Sequence, residues 1–560
     1  MLTTLYSALR RINVRLLLCL ASVLVQSSVA VNAQPAANSV VNSVANSAAN
    51  SAANAPAKLG LLRIATAFDP QTMDPHGLAL LYHSRVVYQI YDSLVGRDEQ
   101  FKMEPALATS WAMTSPTVWR FKLRAGVVFH DGSAFTADDA VFSLQRAMGA
   151  TSQRAFQLKG VKAVRKVDAL TMDIEMDAPD AVLPDKLQFI CMMSKAWADK
   201  HGVQQAQNFN AKQETFAVRN ANGTGPFQLE RYEPDVRTTL RRNPAWWGWA
   251  EKRHGNVQAV QWVTIRSDAT RLAALTSREV DMVMDPPYQD IGRLKSDASI
   301  TLAQTADIGQ QYLAFDQARD ELQDSDVKGR NPFKDIRVRK AVYHAVNVPL
   351  IVDKVLRGQA VPTGAFLSTL VDGSPAELDK RLPFDPAKAK ALLLEAGYPN
   401  GFGVTLDCVN VAWRENVCQA ASAMLTQVGI RTTLRSSTSS TFFPKLSMGT
   451  GTFMEYGWTA SPDAWNSLNG LFRSYDKSGL GTFNAGRYSN AKLDALIDNI
   501  RVEPDLTRRR AMVTTVLRLV GEDLPMIPLY RRTLTWAMSK NVTAVQWPND
   551  TVELRWVRVK

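Results

Sequence analysis

Apolar and polar residues alternate in short runs along this chain, and between those runs apolar residues recur at helical spacing. Leu62 to Thr66 reads as a strand. Trp119-Arg120-Phe121-Lys122-Leu123-Arg124 alternates as a half-buried strand does, and Met172, Ile174 and Met176 alternate again. Within Ser84 to Leu94, the residues Val87, Ile90, Tyr91 and Leu94 share one helix face. Thr136-Ala137-Asp138-Asp139 has the form of a capping box, continued as a helix by Val141, Leu144, Gln145 and Met148. At that helix start the Asp138-Asp139 pair satisfies the dipole, a structural role.

The second half repeats the style. Gln311 to Phe315 reads as a strand entering a new unit. Asp335 caps a helix carried by Ile336, Val338, Val342 and Val346. Asp385-Pro386 opens another helix, which Gly397 closes. Val404 to Cys408 reads as a strand, Gln419 to Val428 as a helix. Asn490 begins a helix with Leu493, Leu496, Ile497 and Ile500 on one stripe, and Trp536 to Lys560 reads as strands. No repeat of roughly 20 to 50 residues is visible. The pattern predicts a large mixed α/β protein, and 560 residues imply more than one core.

The N-terminus changes the picture. Arg10, Arg11 and Arg15 precede an apolar stretch, Leu16 to Val25, too short to span a bilayer comfortably. Val31-Asn32-Ala33 has the small-x-small form of a cleavage site, so residues 1–33 read as a signal peptide, with Ala30 the other candidate end and a single membrane anchor the alternative. Residues 34–58 repeat Asn-Ser-Val/Ala units and read as a tether without a fold. The formal charge is +12, but the basic residues are scattered, which argues against nucleic-acid binding. Cys191, Cys408 and Cys418 follow the expected leader. Export permits a Cys408–Cys418 bridge, with two buried thiols as the alternative.

Catalytic motifs are absent. The sequence contains no Gly-x-Ser-x-Gly elbow, phosphate loop or His-Glu-x-x-His helix. His76 and His83 stand near one another without a third ligand, so no metal and no cofactor is expected. Binding is therefore favoured over catalysis, with an exported hydrolase as the reading from another class.

Longer stretches carry a resemblance. They are Met73-Asp74-Pro75-His76, Tyr91-Asp92-Ser93-Leu94-Val95, Glu104 to Trp111, and Phe121 to Gly132 followed by Phe135 to Ser143. Gly223-Thr224-Gly225-Pro226-Phe227, Arg242 to Trp247, Arg337 to Ala341, Leu393 to Tyr398, Gly481 to Asn484 and Arg487 to Asn490 continue it in order. Together they resemble the family 5 extracellular solute-binding proteins of dipeptide and oligopeptide ABC importers. The resemblance implies an α/β, two-lobed periplasmic-binding-protein fold of type II, with an extra domain in lobe one. Lobe one would span 59–310, with the extra domain at about 100–222. Lobe two would span 311–524, and 525–560 would return to lobe one.

The implied function is capture of a di- or oligopeptide-like solute by hinge closure in the periplasm, and delivery to a permease with its ATPase, by a monomeric protein that is not an enzyme. A glutathione-like conjugate, an opine, a sugar, or a nickel or haem complex is the alternative cargo. A signalling receptor is a further alternative. The resemblance also places Glu455 to Asp463 along the cleft, including Trp458, Thr459, Ser461 and Asp463. Peptide-binding relatives hold the ligand ammonium on an aspartate where this chain has Ser461; Asp463 takes that role, or caps the loop, or the amine lies elsewhere or is absent. Trp458 is cleft wall or core. Arg414, beside Trp413, is a candidate carboxylate clamp, with surface exposure as the alternative. Trp246, Trp247 and Trp249 match a structural stretch of the family and are expected to pack.

Overall fold

The computed structural model describes residues 60–250, 254–476 and 480–560. The expected leader and tether lie outside the described residues. Residues Leu59–Lys560 form one compact unit.

The chain enters lobe one on β1 (Leu61–Thr66), whose Leu62, Ile64 and Ala65 are fully buried. A short hairpin, β2 (Val95–Arg97) and β3 (Met103–Pro105), leads to a separate antiparallel sheet. That sheet contains β4 (Ala108–Ser115), β5 (Val118–Leu123), β6 (Val161–Asp168) and β7 (Thr171–Met176), in the order β4-β5-β7-β6. Alternation puts Phe121 and Leu123 of β5, and Met172, Ile174 and Met176 of β7, on one face. Leu144 of the helix Ala137–Met148 joins them in a core of their own. The capping box at Thr136 and Asp139 starts that helix.

The chain then returns through β8 (Phe227–Glu233), β9 (Arg237–Arg242), β10 (Ala259–Thr264), β11 (Met282–Met284) and β12 (Ile300–Ala306). Lobe two follows with β13 (Gln310–Phe315), β14 (Ala360–Pro362), β15 (Phe402–Val409), β16 (Ile430–Ser437) and β17 (Phe453–Trp458). Finally come β18 (Met526–Ser539) and the small pair β19 (Val542–Thr543) and β20 (Arg558–Val559). The continuous sheet runs β16-β15-β17-β13-β18-β11-β1-β10-β9-β8, with β12 and β14 also paired to β18. Side-chain caps fix several lobe-two helices: Asp335 before Ile336–Ala345, Asp385 before Pro386–Glu395 and Asn490 before Ala491–Val502.

β18 belongs to both lobes. Met526 to Tyr530 pair with β13, whereas Thr533 to Ser539 pair with β12. The expected boundary between 524 and 525 therefore falls too early: the first half of the strand stays in lobe two, and the crossing falls at Arg531 and Arg532. Likewise, Trp536 to Lys560 are not all strand, since past Ser539 only two-residue strands and the turn Leu554–Trp556 form. The other crossing is Asp307–Gly309. The two crossings are tied by Asp307 N–H donating to the Arg532 carbonyl (2.8 Å) and by the Arg532 guanidinium on the Asp307 carboxylate (2.7 Å). Gly309 is required there, because a Cβ would stand 2.7 Å from the Trp458 carbonyl oxygen.

Candidate functional site

The lobes meet at these crossings, where charged and aromatic side chains from distant parts of the chain converge. Lobe one supplies Tyr288, from the turn after β11, and lobe two supplies Trp413, at the start of the helix Ala412–Gln427. Their rings lie 6.5 Å apart. The Arg532 guanidinium stands 5.9 Å from the Trp413 ring, while its charge is paired to Asp307. Behind Tyr288, buried Arg85 donates to Asp285 (2.9 Å) and pairs with Asp550 (2.5 Å). Burial pushes Asp550 up to about 7, the like charge of Asp285 adds to this, and Arg85 opposes it.

On the lobe-two side, Arg414 donates through Nε to Glu455 Oε2 (2.8 Å). Glu455 is fully buried on β17, and burial raises its carboxyl above the usual range against the pull of Arg414. Strand register places Gln311 opposite both Gly457 and Tyr530, and Glu455 lies two residues from Gly457 on the same face. Gln311 lies over Gly457, where a Cβ would meet its carboxamide at 2.4 Å. Glu455 Oε1, Gln311 Oε1 and the Tyr530 hydroxyl are buried and have no hydrogen-bond partner. Unpaired buried polar atoms of this kind are costly unless a ligand or water completes them.

A second contact between the lobes lies further out. Arg97 pairs with Asp185 on lobe one, and Arg509 pairs with Asp463 on lobe two. Between them Lys186 stands 5.0 Å from the Trp465 ring, and Arg501 reaches Asp180 (3.3 Å). The Ala181 N–H donates to the Arg501 carbonyl (2.9 Å). Phe101 and Val182 of lobe one join the lobe-two core.

These contacts decide where the expected site residues go. Trp413 and Arg414 come together at the central junction. Arg414 is buried rather than on the surface, and its charge already meets a carboxylate within the protein. Asp463 pairs with Arg509 and accepts from the Trp465 N–H at 2.8 Å, so its carboxylate already has partners within the protein. Ser461 donates to the Asp463 carbonyl (3.0 Å), and Thr459 is exposed. Trp458 is half-buried, bonded to Ser467 (2.9 Å) and packed on Phe483 at 5.1 Å.

Cys408 and Cys418 form a disulfide joining the end of β15 to the helix bearing Arg414. His76 donates through Nε2–H to the Cys191 carbonyl (3.0 Å), and His83 through Nε2–H to the Asp74 carbonyl (3.1 Å). Both are buried and held down to about 3, by burial first, with Arg146 and Arg154 contributing. Trp246 and Trp247 donate to Asp92 (3.3 and 2.9 Å), and Trp249 lies under Arg242.

The resemblance places Glu455 along the cleft without a role, and the sequence does not single out Tyr288, Gln311, Tyr530, Arg532 or Asp550 as candidates. One signal was present: Glu455 is the lone charge in Phe453-Met454-Glu455-Tyr456-Gly457-Trp458, an otherwise apolar strand sequence.

Two α/β lobes joined by two crossings, with an extra sheet on the first and polar groups gathered at the junction, define a two-lobed solute-binding protein. Residues 102–479 match the pattern of the "Bacterial extracellular solute-binding proteins, family 5 Middle", and the chain belongs to that family. The chain is similar to the glutathione-binding protein GsiB of Shigella dysenteriae serotype 1 (strain Sd197), at 26% identity over 500 residues, 87% of this chain and 92% of that protein. Its fold is that of HbpA2 from Haemophilus parasuis (TM-score 0.76, 24% identity, 89% of this chain and 100% of that one). It is also that of DppA from Helicobacter pylori in complex with peptide STSA (TM-score 0.71, 24% identity, 89% and 98%).

Proposed function

We propose that this protein captures a small peptide-like solute between its lobes in the periplasm and presents it to the permease of an ABC importer. The observation that carries this reading is the central junction. Aromatic rings from opposite lobes, Tyr288 and Trp413, flank charges of both signs and buried polar atoms without partners. Such a lining suits a flat, polar, doubly charged backbone better than an apolar or purely cationic cargo. A curated relative named for glutathione and a solved relative holding the peptide STSA support the same solute class. Delivery follows from closure: a ligand touching both lobes shifts the population toward the closed form, which the permease reads.

Titration calorimetry with di- to pentapeptides and glutathione tests the reading, together with mass spectrometry of any solute that copurifies. Binding of at least one of these with a compaction in solution scattering supports it. Tight binding of a sugar, an opine, or a nickel or haem complex with no peptide bound overturns the peptide class. Chemical conversion of the bound solute overturns the transport role.

A further inference from the structure

We propose that Glu455, Gln311 and Tyr530 form the seat for an ammonium group of the captured solute, inside the lobe-two wall and away from the Ser461–Asp463 loop. The inference rests on the peptide-like reading above and adds which protein atoms hold the amine.

Three observations converge. First, the acceptors share one sheet face and are unused. Glu455 Oε1, Gln311 Oε1 and the Tyr530 hydroxyl are buried without partners, and the register of β17, β13 and β18 puts all three on one sheet face. An ammonium presents three donors and accepts nothing, which matches a carboxylate oxygen, a carboxamide oxygen and a phenol oxygen. Glu455 stays fixed, because Arg414 grips its other oxygen and leaves Oε1 free.

Second, the charges around the junction do not balance. Three guanidinium groups, Arg85, Arg414 and Arg532, face four carboxylates, Asp285, Asp307, Glu455 and Asp550. Pair by pair, Arg414 balances Glu455, Arg532 balances Asp307 and Arg85 is shared by Asp285 and Asp550, so the junction as a whole is one positive charge short and admits a ligand cation. Burial raises the carboxyls of Glu455 and Asp550, and a cation drawn to the junction would favour their charged forms.

Third, the usual alternative is taken. Asp463 is occupied by Arg509 and by the cap of the helix Ala464–Leu471, and position 461 carries no charge.

The test compares matched ligands. Trialanine and glutathione are each titrated beside their N-acetylated forms, and n-hexylamine is titrated beside hexanol, against the wild type, Glu455→Gln and Tyr530→Phe. The wild type is expected to prefer each free amine by at least about tenfold, the ratio given by charge-assisted hydrogen bonds. Glu455→Gln should remove that preference. Glu455→Gln leaves Arg414 buried without its anion and so endangers folding; Tyr530→Phe therefore serves as the second probe. It removes one oxygen and no charge, and should weaken the amine forms only.

The outcomes separate the two ideas. If peptides bind equally with and without a free amine, or if both variants keep the wild-type preference, the ammonium seat falls and the peptide reading stands. If n-hexylamine binds through Glu455 while no peptide binds, the peptide reading falls and the seat stands. If no probe binds the wild type, both fall.

Discussion

Asp74 is a fully buried carboxylate that stays charged, because its surroundings are built for the anion. Arg146 pairs with it at 2.6 Å with neither side chain exposed, and the N–H groups of His76 and Gln207 donate to it. Its carboxyl is held well below the usual range by Arg146, which outweighs the cost of burial. Asp74→Asn leaves Arg146 buried and unpaired, so urea unfolding should show a loss of roughly 3–5 kcal/mol. The neighbouring histidines give a pH signature. His76 and His83 sit at about 3 in the fold against 6.5 for the free side chain. A lowered histidine contributes stability that is complete above about 6.5 and is lost as pH falls toward about 3. The melting temperature should therefore drop between pH 6 and 4, and His83→Asn should flatten that drop. An unchanged slope would assign the acid loss to other groups. At this scale the sequence was partly legible. Met73-Asp74-Pro75-His76 stood out as a family stretch, but nothing local revealed Arg146 as its partner, 72 residues on.

Elements were legible where capping and periodicity agreed, and illegible where long-range pairing decides. Asp335, Asp385 and Asn490 announce their helices because the cap is written in the adjacent residues. The helix expected from Gln419 begins seven residues earlier, at Ala412, because its first two turns mix Trp413, Arg414, Glu415 and Asn416 without an apolar stripe. Tertiary contacts to Glu455 and Tyr288 hold that start, and no local propensity does. β18 was hidden for a related reason. Pro528 and the pair Arg531-Arg532 interrupt its pattern, yet the register shift between Gln311 and Tyr312 accommodates the proline. The disulfide acts at this scale, since it closes a short loop that contains Trp413 and Arg414. Replacing both Cys408 and Cys418 by serine should lower stability by about 3 kcal/mol through the freed chain entropy. The same variant should bind the cargo more weakly, because the Trp413–Arg414 turn loses its tether; a drop in stability with unchanged affinity would show that the contacts to Glu455 and Tyr288 hold the helix start without the bridge.

For the whole molecule the question is what sets the balance between closed and open lobes. In the structure Asp463 and Asp185 approach one another from opposite lobes, each with its own arginine, Arg509 and Arg97. Lys186, Arg501 and Asp180 complete the charged contact around Trp465. Burial raises Asp463 to about 6, with the like charge of Asp185 adding and Arg509 opposing, and Asp185 is raised as well. Opening would hydrate both carboxyls and part them, returning each toward its ordinary value near 3.8. The closed form therefore binds more protons than the open form between those limits. A raised carboxyl contributes to closure below the ordinary value, and the contribution is lost as pH rises through about 6. Without ligand, acidification from pH 8 to pH 5.5 should shift the population toward closed, seen as a smaller radius of gyration in solution scattering. Asp185→Asn removes the opposing charge, so its radius should change less over the same range. A radius that grows on acidification would mean that the two arginine pairs dominate the contact, with carboxylate repulsion secondary, and the pH argument for closure would have the wrong sign.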